Sequence, residues 1–234
     1  MPVNLKSLAH DNKVFFDKAI GLLSDIKPGS KTGNQYYPYM FVYSIFNLIK
    51  SCNILMENEF IIKIPIFIRS IIEAIAKLSM IEKDKSMLNV FKLDSLKKAY
   101  SLLNENSTKD IFDGYNEILQ ESIKNYKDEI DDLKKLVSES VSISKIVGSL
   151  GIEYRVPYKL FCADVHNDTD LIQFNNQSNL TDKEIKLIEL VLLKSIVDGV
   201  YYLKEYFPYI STEGYASLIK DRYLIMDHYF KHIE

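Results

Sequence analysis

The sequence predicts an all-α protein, a single helical bundle of about seven to eight helices with one long helix. Three observations carry that expectation. Apolar residues recur mostly at three- and four-residue steps, the period of a helix face. Only eight glycines and six prolines punctuate the chain. The prolines at 38 and 65 fall where a first helical turn tolerates them, and Thr181 with Glu184 spells a Thr-x-x-Glu capping box. The abundance of isoleucine and tyrosine pulls toward strands, but propensity is weak beside periodicity. Residues 1–234 read as one domain, with a core over 38–207 and a C-terminal helix over 213–232.

In order, a first helix is expected from about Leu5 to Asp25, before the PGSKTG turn. A second runs from near Pro38 to about Met56, and a third has Pro65 in its first turn and continues through Ile81. After a short segment around Leu88 to Asn104, Thr108 and Asp110 can cap a long helix. Its apolar positions Leu119, Ile123, Tyr126, Ile130, Leu133 and Val137 alternate four and three, which is a heptad seam. Such a seam serves either a coiled-coil arm for dimerisation or a long helix laid along its own bundle. Gly148 and Gly151 close that region, and a helix starts near Pro157 and fades between His166 and Asp170. The polar run FNNQSN is a loop, the capping box opens a helix to about Phe207, and a last helix runs from about Glu213 to His232.

Formal net charge is −3, so constitutive DNA binding is not expected. Cys52 and Cys162 sit in apolar helical patterns without metal spacing, which suits free thiols in a reducing, cytoplasmic compartment. The N-terminal MPVNLKSLAHDNK lacks a signal-peptide core, and the apolar run Phe60 to Ile81 is interrupted by Lys63, Arg69, Glu73 and Lys77, so no membrane span is expected.

Arginine is scarce: Arg69, Arg155 and Arg222 are the only three. Arg69, Glu73 and Lys77 lie one turn apart and form a stripe along the third helix, which reads either as a structural ion pair or as a functional site. Ile62 and Ile66 share its arc. In YKLFCADVHNDTD, Tyr158, Phe161, Cys162 and Val165 make an apolar face with His166 at its edge. His166 can be a charged histidine stabilised by a helix C-terminus, or a general acid or base. Asp164 points away from it while the helix lasts. Asp164, His166, Asp168 and Asp170 alternate like a calcium loop, yet the glycine and closing glutamate are missing. No metal spacing, phosphate loop or nucleophile elbow occurs, and no metal or cofactor is expected.

The segment IRSIIEAIAKLSMI, followed by SISKIVGSLGIEYRVPYKLFCADVHND, resembles bacterial proteins of domain-of-unknown-function family 5677. That resemblance implies an all-helical protein with an Arg-x-x-x-Glu motif on one central helix and a Tyr-rich segment ending in Ser-x-x-x-His on another. The matching positions are Arg69, Glu73, Tyr158 and His166, with Cys162 where a small hydroxyl residue would stand. It implies that the stripe and His166 face each other. The family is similar in architecture to the HEPN helical superfamily, many of whose members are metal-independent ribonucleases of bacterial toxin and anti-phage systems with an Arg-x(4 to 6)-His motif. The implied chemistry has an arginine steadying the phosphate while histidine moves the proton of an attacking ribose hydroxyl. Here Lys159 stands at the arginine position before His166, without the planar fork that grips phosphate.

A formal match to the motif occurs in DRYLIMDHYFKH, as Arg222 and His228. On a regular helix that pair lies about 240° apart, so sharing a site requires a bend or a second subunit. Otherwise Tyr223, Met226 and Tyr229 are packed and the polar residues solvated. The leading expectation is a HEPN-like protein of a bacterial defence or stress system that binds RNA or nucleotide and cleaves RNA without metal, with His166, Arg69, Glu73 and Lys159 catalytic and Tyr158 and Arg155 binding. The rival is a non-catalytic helical interaction or regulatory module, self-associating or binding a partner protein through its helices, in which Arg69, Glu73 and His166 form a buried network. A third option is a ligand sensor with a tyrosine-lined pocket.

Overall fold

The structure is a computed structural model that describes residues 3–27, 29, 34–106, 116–137, 141–163 and 180–231. Among them are nine α-helices, one 3₁₀ turn and no strand. The fold class is all-α. The helices are α1 (Leu5–Leu23), α2 (Tyr36–Glu57), α3 (Ile64–Lys83), α4 (Met87–Asn106), α5 (Asn116–Lys134), α6 (Ile143–Gly148), α7 (Ile152–Ala163), α8 (Asp182–Lys204) and α9 (Thr212–Phe230). Two compact units divide them: Met1–Ser79 with Ser144–Glu234, and Met80–Ile143.

In the larger unit α1 packs on α2, α8 and α9, and α8 also packs on α2, α7 and α9. Ile68, Ile71, Ile72 and Ile75 of α3 are fully buried, as are Val191, Leu193 and Val200 of α8. Burial therefore overrides the strand preference of the isoleucines and valines among them. Gly199 lets α8 approach α2 closely: a Cβ there would sit 3.1 Å from the Phe46 ring and 3.3 Å from Val42. α2 is long and apolar enough to cross a membrane. Here Ile45, Ile49, Cys52 and Met56 of that helix are at most 1 % exposed within the helical core.

The ends follow the local code. Asn4 accepts from the Ser7 N–H at 3.1 Å and Ser211 from the Gly214 N–H at 3.1 Å. The Thr181 capping box forms in both directions. α2 stops where Glu59 turns left-handed at φ 62, with Phe60 N–H donating to the Leu55 carbonyl and Glu59 N–H to that of Met56, a Schellman closure.

In the smaller unit α4 and α5 pack against each other. The heptad seam is covered there: Ile130 and Leu133 pack with Leu93, and Leu96, Tyr100 and Val137 flank them. Leu119 and Ile123 are buried too. The seam thus serves packing inside its own unit. Thr108 and Asp110 lie outside the described residues.

Three details differ from the sequence reading. The segment after α3 is a full helix of 20 residues, and Ile143–Gly148 forms a short helix that was not expected. α7 begins at Ile152, five residues before Pro157. The Gly151 carbonyl accepts from both Tyr154 and Arg155 N–H and starts the helix early. Pro157 then sits inside, where its ring is buried and one helical hydrogen bond is forgone. The FNNQSN loop and residues 164–170 lie outside the described residues.

Candidate functional site

On α3, Arg69 and Glu73 are one turn apart, and Arg69 Nε donates to Glu73 Oε1 at 2.9 Å. On α7, Tyr154 and Phe161 are buried, and Tyr158 lies four residues after one and three before the other, hence on the same side. Its hydroxyl donates to the same Glu73 oxygen at 3.1 Å. One carboxylate oxygen thereby ties α3 to α7. The Arg69 and Glu73 side chains are 23 % and 27 % exposed, so the cluster is reachable by solvent and not a sealed core. Lys77, the third member of the stripe, lies 5.9 Å over the Phe41 ring. Arg155 and Lys159 are exposed on α7. His166 lies outside the described residues, as do Asp164, Asp168 and Asp170, and so does the Cys162 side chain.

Part-burial sets the energy scale of this cluster. Glu73→Ala removes an acceptor for two donors, and each hydrogen bond to a charged group is worth up to about 1.5–3 kcal/mol when buried and well under that when exposed. We expect Glu73→Ala to cost about 1–2 kcal/mol in urea unfolding, Arg69→Ala less, and the double variant less than the sum. Single variants within a few tenths of a kcal/mol of the parent would show that the pair is only a solvated stripe.

Arg222 and His228 are not brought together: among the described residues no hydrogen bond or ion pair joins them. His228 is exposed and meets the Tyr229 ring edge-on at 4.7 Å. Arg222 is 11 % exposed, 3.9 Å from Glu153 Oε1 of α7, with its guanidinium 5.5 Å from the Tyr223 ring centre. Glu153 also faces Lys194 Nζ at 3.6 Å, and Lys194 lies 3.1 Å from Asp198. The buried Tyr154 hydroxyl donates to Asp198 Oδ2 at 2.7 Å. Burial first, and then the Asp198 charge, hold the Tyr154 phenol well above its ordinary range. Arg222 therefore belongs to a network joining α7, α8 and α9.

Sequence reasoning missed a buried pair. Glu189 of α8 is fully buried, and Asn12 Nδ2 of α1 donates to both its carboxylate oxygens, at 2.8 and 2.9 Å. Burial pushes the carboxyl up to about 8, against the smaller opposing effect of Asn12. Asn12 Oδ1 finds no donor among the described residues. Cys52 is a free buried thiol whose ionisation burial pushes far up, so it is inert packing. Among the described residues no group of three or more His, Cys, Asp or Glu side chains could hold a metal.

Fold and cluster together define an all-helical protein whose Arg-x-x-x-Glu helix is pinned to a tyrosine on a second helix. The chain belongs to a family of unknown function, DUF5677, which it matches over residues 35–184. No curated protein and no solved structure matches it. The matched span holds Arg69, Glu73 and Tyr158, and it extends past His166 to the first turn of α8.

Proposed function

We propose that this protein is a HEPN-like helical protein of a bacterial defence or stress system, acting in the cytoplasm, that binds RNA or a nucleotide at the α3–α7 cluster and cleaves RNA without metal. The observation that supports this most is the meeting of Arg69, Glu73 and Tyr158 from two helices at a solvent-reachable place. In sequence, His166 follows three residues after the end of α7. Glu73 and Tyr158 restrain the arginine, and a guanidinium so oriented suits a phosphodiester oxygen. In the proposed step His166 takes the proton of the ribose 2′-hydroxyl, and that oxygen attacks phosphorus. The bond to the 5′-oxygen breaks, and the leaving oxygen is protonated. The products are a 2′,3′-cyclic phosphate and a 5′-hydroxyl end.

A second reading keeps the cluster as the structural centre of a non-catalytic interaction module that binds a partner protein or a second copy. It draws on the Glu73 carboxylate, which already neutralises Arg69, and on Lys159, which stands where the superfamily motif has arginine. Incubating the purified full chain with single-stranded RNA in EDTA separates the two. We expect cleavage that falls by about 100-fold or more in His166→Ala and Arg69→Ala and persists in His228→Ala. Folded protein that neither binds nor cuts a broad RNA set would leave only the interaction module.

A further inference from the structure

α9 is the least covered of the long helices in the larger unit: two of its 19 residues are buried, Leu218 and Phe230, against 13 of 23 in α8. It packs on α1 and α8. Leu218, Ile225 and Tyr229 share the inward side, where the Tyr229 hydroxyl meets that of Ser7 at 2.8 Å and donates to Asp11 at 2.7 Å. On the opposite side Ala216, Lys220, Tyr223, Leu224 and Asp227 are exposed, Tyr223 by 62 % and Leu224 by 57 %. Apolar side chains on both sides suit a helix that is covered on both.

The charges on the outer face indicate what covers it. On a regular helix Lys220 and Asp227 fall within about 20° of one line along α9, with Tyr223 and Leu224 about 50° to either side of it. Lys220 stands as far before the midpoint between Tyr223 and Leu224 as Asp227 stands after it. A two-fold axis through that midpoint sets Lys220 of one copy against Asp227 of a second, and the reverse contact follows by symmetry. Tyr223 then meets its own counterpart on one side of the line, and Leu224 its own on the other. A parallel pairing of the same faces would instead set lysine on lysine and aspartate on aspartate, which is repulsive. Among the described residues Lys220 has no ion pair, and Asp227 pairs only with Lys231 of its own helix, an exposed contact at 3.4 Å. A membrane surface is a poorer match, because Asp227 stands on the central line and the chain carries a net charge of −3.

We propose that the outer face of α9 is a homodimer interface, in which the helices of two copies pair antiparallel about Tyr223 and Leu224 and Lys220 of each meets Asp227 of the other. The surface is separate from Arg69, Glu73 and Tyr158, and it stands whether or not that cluster cleaves RNA. α9 is about 28 Å long, so a contact of one helix from each copy lies at the small end of specific interfaces and makes a weak, reversible dimer. The test is sedimentation velocity of the full chain across the micromolar range. We expect a monomer–dimer equilibrium with Kd on the order of 10–100 µM, weaker at high salt. Lys220→Asp alone and Asp227→Lys alone should each weaken dimerisation by about tenfold or more, since each change enters the interface twice. The two together should restore it, because opposite charges face each other again. Leu224→Asp should leave a monomer. All three positions are exposed, so every variant should keep the far-ultraviolet circular dichroism and Tm of the parent. A chain that stays monomeric at about 1 mM, ten times the upper end of the expected range, overturns the proposal. So does a dimer that survives the single reversals and Leu224→Asp, which would place the contact on another face, and so does a paired reversal that fails to restore what the single ones break.

Discussion

Between pH 4.5 and pH 8 the protein should lose stability relative to its Glu189→Gln variant, by an amount on the order of a few kcal/mol at about 1.4 kcal/mol per pH unit. Unfolded, the Glu189 carboxyl releases its proton near 4.5; folded, it keeps it until about 8. Within that window the native state holds a proton that the unfolded chain has lost, so raising the pH favours unfolding. The stabilising contribution is whole below pH 4.5 and is lost as pH rises through 8. Glutamine keeps an oxygen that accepts from Asn12 Nδ2 and carries no proton to lose over this range. The variant should therefore match the parent at pH 4 and exceed it at pH 8.5. Urea unfolding of both proteins at several pH values measures this. A stability difference that does not change with pH would mean that Glu189 is not the titrating group.

Asp198→Ala should be the other costly change, by about 2–3 kcal/mol. It strands the Tyr154 hydroxyl, 2 % exposed as a residue, with only Ser195 at 3.5 Å, and it leaves Lys194 with Glu153 at 3.6 Å. Tyr154→Phe removes the donor instead of the acceptor. Asp198 then keeps Lys194 and some solvent, so the expected cost is about 1 kcal/mol. The double variant should cost less than the two together, because the same bond is removed twice. Denaturant unfolding of all three decides it. Equal costs for the two single variants would mean that the Tyr154–Asp198 bond accounts for the whole effect and the Lys194–Asp198 contact for none of it.

Why some of this was legible in the sequence and some was not is a matter of range. Arg69 and Glu73 are neighbours on one helix, so spacing alone brings them together. The α5 seam repeats so regularly that its burial follows, although only the contact with Leu93 says which helix receives it. Tyr158 meeting Glu73 spans 85 residues, and no periodicity reports such a pairing. The start of α7 was misread because Pro157 looked like a first-turn residue, whereas packing of Tyr154 and Phe161 carries the helix through it. Glu189, Asn12 and Asn53 went unnoticed, yet all three stand in core register. Glu189 lies four after Ile185 and three before Leu192, Asn12 four after Leu8 and three before Phe15, and Asn53 four after Ile49 and three before Met56, all of them buried. A polar residue flanked so is the signal that could have found them. What it could not reveal is that Asn12 answers Glu189 across 177 residues while Asn53 is answered by nothing among the described ones.

The larger unit is interrupted in sequence: its two parts, 1–79 and 144–234, are separated by the smaller unit, which is continuous. On the ribosome this sets an order of events. α4 and α5 find each other almost as soon as both have emerged, whereas α1 is made first and completed last. Asn12 waits for Glu189, Lys18 for Asp221 and Ser7 for Tyr229, between 177 and 222 residues downstream. At about 5–20 residues per second that is a delay on the order of ten to forty seconds. During it α2 is the only one of the three helices α1 packs against that has been made, and Leu8, Phe15 and Phe16 lack the rest of their cover. A truncation that removes α8 and α9 takes away two of the helices α1 packs against and uncovers apolar side chains that include Leu8, Phe15 and Phe16.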